Sequence, residues 1–111
     1  MLTLNTDGCS KGNPGTGGGG GVLRDSSGRL LFAFSAYLGE ITSLHAQTSA
    51  LLIGLRECAQ RGFDNVVIQL DSLVLVMVLQ KTFQRRWHIR KEVRQIWQLL
   101  GDSPRLAHCY R

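Results

Sequence analysis

Asp7 follows the run Leu2-Thr3-Leu4-Asn5-Thr6 and precedes Gly8-Cys9-Ser10-Lys11-Gly12-Asn13-Pro14-Gly15. A carboxylate that leaves an apolar strand toward a glycine-rich turn is placed to hold a metal ion. A second such carboxylate, Asp71, ends the β-branched run Val66-Val67-Ile68-Gln69-Leu70, which reads as a buried strand. If the two strands are neighbours in one sheet, the carboxylates emerge side by side and repel each other unless a divalent cation lies between them. An Asp at a strand end also caps turns and helices, and for Asp71, followed by Ser72, that simpler role stands beside the metal one.

The distribution of charge adds a second feature. Lys81, Arg85, Arg86, Arg90, Lys91 and Arg94 face only Glu92 within the segment 81–94, a net +5 that equals the formal excess of the whole chain. The remainder is balanced, so the chain carries a local basic patch. Trp87 and His88 lie inside it, and cations interleaved with an aromatic ring suit contact with a phosphate backbone. The alternative is a solvated helix face with Trp87 anchored in the core.

The elements that must position these residues follow from pattern. Leu2 and Leu4 alternate with Thr3 and Asn5 into a first strand, and Gly12 to Gly21 is expected to form a flexible turn feeding a second strand at Val22-Leu23. Asp25-Ser26-Ser27-Gly28 reads as a hairpin turn, and Leu30 to Phe34 as a third strand antiparallel to the second. From Ala46 the positions Ala46, Ala50, Leu51, Leu55, Cys58 and Ala59 recur at helical spacing, with Gly62 as the stop. Val66 to Leu70 is the fourth strand. One helix is expected from Ser72 to about Leu79, capped by Ser72. A further helix is expected from about Ile89 to Leu100, with Val93, Ile96, Trp97 and Leu100 on one face, and Leu106 to Tyr110 begins a last strand. This order predicts an α/β fold, a mixed sheet with three antiparallel strands at one side and helices flanking it.

The five glycines Gly17 to Gly21 do not make a phosphate-cradling loop, because no Lys-Ser or Lys-Thr pair and no helical pattern follows them; glycine there allows tight turning and close backbone packing. Composition fits one small domain, with 43% apolar residues in 111. No segment approaches the roughly 20 apolar residues that cross a bilayer, and the strand-like start is unlike a signal peptide, so an intracellular setting, nucleus or cytoplasm, is expected. Cys9, Cys58 and Cys109 are odd in number and far apart, which argues for buried free thiols over disulfides or a zinc site.

The segments Leu4-Asn5-Thr6-Asp7-Gly8, Lys11-Gly12-Asn13-Pro14-Gly15-Thr16-Gly17-Gly18, Gly20-Gly21-Val22-Leu23-Arg24-Asp25 and Leu70-Asp71-Ser72 together resemble a ribonuclease H domain of the plant, reverse-transcriptase-derived type. The resemblance runs from Met1 to Arg111 and implies a single domain, shortened before the family's last helix. It implies cleavage of the RNA strand of an RNA–DNA hybrid with Mg²⁺ or Mn²⁺, and a monomer is expected. Asp7 and Asp71 match the first and third of four family carboxylates. The second is a Glu in an Ala-Glu-x-x-Ala-Leu pattern, where this chain reads Ala46-Gln47-Thr48-Ser49-Ala50-Leu51. Gln47 keeps an oxygen ligand but brings no charge, and two cations about 4 Å apart need anionic oxygens to offset their repulsion. The fourth carboxylate follows an Arg-Glu-x-Asn run that these residues lack.

Nucleic-acid contacts implied by the resemblance fall on Lys11, Asn13 and Ser43, the last standing where the family often has Asn; the basic segment adds Arg85, Arg86, Trp87 and Arg90. Leu73 replaces a frequent polar residue after the third Asp. His45 and His88 are the candidates for aiding proton transfer, while His108 has no assigned role. Two readings result: a hybrid endonuclease weakened by Gln47 and the absent fourth acid, and a catalytically dead descendant that keeps the fold to bind nucleic acid or a protein.

Overall fold

The computed structural model describes residues 1–12, 14–70, 90–102 and 107–110. Five strands, β1 (Leu2–Gly12), β2 (Gly15–Arg24), β3 (Leu30–Ile41), β4 (Val66–Gln69) and β5 (Ala107–Tyr110), join in one sheet of order β3-β2-β1-β4-β5. The pairs β1/β2 and β2/β3 are antiparallel, whereas β1/β4 and β4/β5 are parallel. The parallel pairing makes β1 and β4 neighbours, the condition under which Asp7 and Asp71 were expected to emerge together; Asp71 itself lies outside the described residues, as does the helix expected at 72–79.

Helix α1 (Ser43–Gln60) starts three residues before the expected Ala46 because Thr42 caps it, its Oγ1 accepting the His45 N–H at 3.1 Å. Its end is as expected: Gly62 takes φ +73°, and its N–H donates to the Ala59 carbonyl. Helix α2 (Arg90–Asp102) matches the last expected helix, with Ile96 fully buried. The core lies between α1 and one face of the sheet, where Leu4, Leu23, Leu51, Leu55, Ile68 and Ile96 lose all contact with water. Ala59, expected on that face, is exposed.

The flexible turn expected over Gly12 to Gly21 is much shorter, confined to the link between Gly12 and Gly15. Gly15 and Gly17 to Gly21 are strand residues, paired with Gly12 back to Thr6 on one side and with Phe34 to Ile41 on the other. Glycine has low intrinsic strand preference, and here two flanking strands impose the conformation. The turn at Asp25-Ser26-Ser27-Gly28 is as expected. Asp25 Oδ1 accepts from the N–H groups of Ser27 and Arg29 and from the Ser27 hydroxyl, which together hold the carboxyl below its usual range, the hydroxyl contributing most. Among the described residues no helix is long and apolar enough to cross a membrane.

Candidate active site

Alternation along β1 places Leu4, Thr6, Gly8 and Ser10 toward α1, and Asp7 and Cys9 toward the opposite face. Both Asp7 and Cys9 are exposed, so the expectation that all three thiols are buried fails at Cys9 while Cys58 is buried; Cys109's side chain lies outside the description. Burial among apolar neighbours pushes the Cys58 thiol up to about 11, with nearby Glu57 adding to it.

Pairing between β1 and β4 reaches Asn5 and Gln69, whose side chains join through a 2.8 Å bond from Asn5 Nδ2 to Gln69 Oε1. Past that point β1 has no partner on this side among the described residues. There the Gly8 N–H donates to Asp7 Oδ1 at 2.9 Å, which fixes the carboxylate over the open edge. Asp7, Gly8, Cys9 and Gly18 to Gly20 line a shallow groove of about 280 Å³.

Gly8 also brings the helix in. A Cβ at this position would stand 2.4 Å from the Ala46 carbonyl carbon and 2.6 Å from the Gln47 nitrogen, so only glycine lets the second turn of α1 rest on β1. Asp7 and Gln47 flank this contact. Gln47 is half-buried, and its Oε1, sealed from solvent, accepts no hydrogen bond among the described residues; Thr6 Oγ1 is in the same condition. A buried acceptor without a donor is uncommon and calls for an explanation. In donor chemistry a carboxylate and an amide carbonyl suit a hard cation such as Mg²⁺ or Mn²⁺; the Asp7 carboxylate is exposed at the strand edge, whereas the Gln47 oxygen is sealed behind the Gly8 contact. No group of three or more His, Cys, Asp and Glu side chains capable of holding a metal occurs among the described residues.

The remaining predicted residues divide. Lys11 is exposed at the end of β1, and Ser43, on the first turn of α1, lies 3.2 Å from Ser10 across a hydroxyl pair, Oγ to Oγ. Ser10 also donates to the Gly12 carbonyl. Asn13, Arg85, Arg86, Trp87 and His88 lie outside the described residues; Arg90 opens α2, and Lys91 and Arg94 are exposed along it. His45, considered as a proton-transfer aid, bridges the two helices instead, its Nε2 3.0 Å from Glu92 Oε1. Reasoning from sequence missed Gly8 and Ser10. The glycine directly after Asp7 was the available signal for the first; the Ser10–Ser43 contact spans strand and helix and left none.

A sheet of order β3-β2-β1-β4-β5 with its helices packed on one face, and a carboxylate on the central strand, defines the ribonuclease H-like fold. The family model described as reverse transcriptase-like matches residues 5–110, and the chain belongs to that family of RNase H domains. It is 36% identical over 112 residues to a candidate ribonuclease H protein of Arabidopsis thaliana, covering 99% of this chain and 18% of that protein. It is 35% identical to ribonuclease HI of Halobacterium salinarum, covering 95% of this chain and 54% of that enzyme. The chain therefore spans about half or less of the length of these relatives. Among solved structures, LC11 RNase H1, isolated from compost and crystallised with an RNA/DNA hybrid, superimposes with a TM-score of 0.90 at 25% identity, over 99% of this chain and 83% of that one.

Proposed function

We propose that this chain is an RNase H-type domain of the RNA–DNA hybrid endonuclease class that binds hybrid and hydrolyses it slowly or not at all. The observation that carries this reading is the sealed Oε1 of Gln47, unpaired among the described residues and beside the Gly8 contact, at the family's glutamate position. Asp7, Asp71 and the Gln47 carbonyl would hold the cation. A bound Mg²⁺ or Mn²⁺ supplies positive charge to the phosphate under attack and to the leaving 3′-oxygen. What the protein residues do is narrower. Gly8 aims the Asp7 carboxylate through its N–H, while Lys11, Asn13, Ser43 and the basic segment Arg85, Arg86, Trp87 and Arg90 hold the nucleic-acid backbone. Support for a hybrid as ligand comes from the family and from LC11 RNase H1, solved with an RNA/DNA hybrid.

Hybrid cleavage by the parent chain and by Gln47→Glu, in Mg²⁺ and in Mn²⁺, tests the proposal. The added carboxylate is expected to raise the rate at least about tenfold, equivalent to about 1.4 kcal/mol of transition-state stabilisation. Equal rates in parent and variant would show that Gln47 is not the limiting defect. Should neither cleave while both retain hybrid, the binding-module reading takes over.

A further inference from the structure

The outer strand β3 ends the sheet, and among the described residues nothing pairs with its free side. Its twelve residues, Leu30-Leu31-Phe32-Ala33-Phe34-Ser35-Ala36-Tyr37-Leu38-Gly39-Glu40-Ile41, contain no lysine or proline and one charge, Glu40. Proteins ordinarily blunt such an edge with charge, proline or a bulge, because unpaired N–H and C=O groups recruit another strand. The blunting this strand does carry is two bulge-like register shifts against β2, at Leu31 and Leu38, which confine the regular, uncharged edge to the stretch from Phe32 to Tyr37. Leu30 and Tyr37, 50% and 79% exposed, are two of three large apolar side chains left in water among the described residues.

We propose that this edge is a homodimer seam, in which two copies join β3 to β3 antiparallel about a two-fold axis at Ser35. The strand's own sequence selects a second copy as the occupant. About that axis, residues facing each other lie on the same side of the sheet, as an antiparallel pair requires, and large meets small: Tyr37 opposite Ala33, Phe34 opposite Ala36. The sole anion, Glu40, reaches the end of the partner strand beside Arg29, an exposed cation. A two-fold contact of this kind closes on itself and does not propagate. Both α1 helices then lie on one side of a continuous sheet.

Sedimentation velocity of the full chain over a concentration series tests it. We expect movement from 12.3 kDa toward twice that mass, with half-association at about 0.1 mM, because one strand pair buries less than the smaller stable interfaces do. Ser35→Lys and Ser35→Asp each place like charges face to face at the axis. Either variant alone is expected to associate at least about tenfold more weakly, and an equimolar mixture of the two to recover dimer. A parent chain that stays monomeric throughout, leaving the edge to some other partner, overturns the proposal. So does open-ended growth, or a mixture that fails to recover when both variants melt as the parent does.

Discussion

The two ends of α1 meet the sheet in opposite ways. Toward its C-terminal half, Leu51, Leu55 and Cys58 pack into Leu4, Leu23 and Ile68, and side-chain volume sets the separation. Toward its N-terminal half the sheet presents Gly8 and Gly19, and a Cβ on Gly19 would come within 2.9 Å of the Ala50 Cβ. One end is held by what fills the space, the other by what is missing from it. Burying apolar area stabilises the fold at the leucine end; the glycine end admits the helix backbone close enough to set Ala46 and Gln47 against Gly8, the residue after Asp7. Stability and the candidate site are therefore lodged in different turns of one helix.

Leu55→Ala should have the largest effect on stability, a loss of about 3 kcal/mol in denaturant melts, since a fully buried leucine leaves a cavity. That is a large share of the roughly 5–15 kcal/mol that holds a small domain. Mg²⁺ affinity of the folded fraction should be unchanged. Gly8→Ala should lower stability by about 1–3 kcal/mol through overpacking against the α1 backbone, and it alone of the two should also weaken Mg²⁺ binding. If both variants weaken the cation equally, the division between the two ends is wrong.

Titration separates the regions again. The Cys58 thiol, raised from 9.0 to about 11 by burial, stays protonated in the folded chain after it has ionised in the unfolded one. Its contribution is thus full below pH 9 and is lost as pH rises from 9 toward 11. Thermal melts should show this alkaline loss, and Cys58→Ala should abolish it. Iodoacetamide at neutral pH should label exposed Cys9 and spare Cys58. The smallest effect is expected at Asp25, whose carboxyl sits below 3.8 because of the Ser27 hydroxyl and the Arg29 N–H. Its contribution is present above pH 3.8 and fades as pH falls through the lowered value, and Asp25→Ala should remove that fading.

Much of this was legible in the chain. Alternation and β-branched runs located β1 and β4, turn chemistry located Asp25 to Gly28, and helical spacing marked the buried face of α1 at Ala46, Ala50, Leu51, Leu55 and Cys58. The long hairpin was not. Glycine carries no side chain to alternate, so Gly17 to Gly21 gave no strand signal, and their pairing is dictated by neighbours far along the sequence. The start of α1 was misplaced because Thr42, a cap, lies outside the apolar pattern. At the site, Asp7 and Gln47 were identifiable from the family motif, whereas the Gly8 contact and the His45–Glu92 bridge depend on elements meeting in space.

The central claim is that Gln47, set against Gly8, leaves the Asp7 site short of one negative charge. Mg²⁺ titration of the full chain, followed at the Gly8 amide that donates to Asp7, tests this most directly when run on parent and Gln47→Glu together. We predict shifts at Gly8 in the parent with weak affinity, about millimolar as expected of a sparse oxygen site, and at least about tenfold tighter binding in Gln47→Glu, a gain of about 1.4 kcal/mol. Equal affinity in the two chains, or tight binding already in the parent, would contradict it.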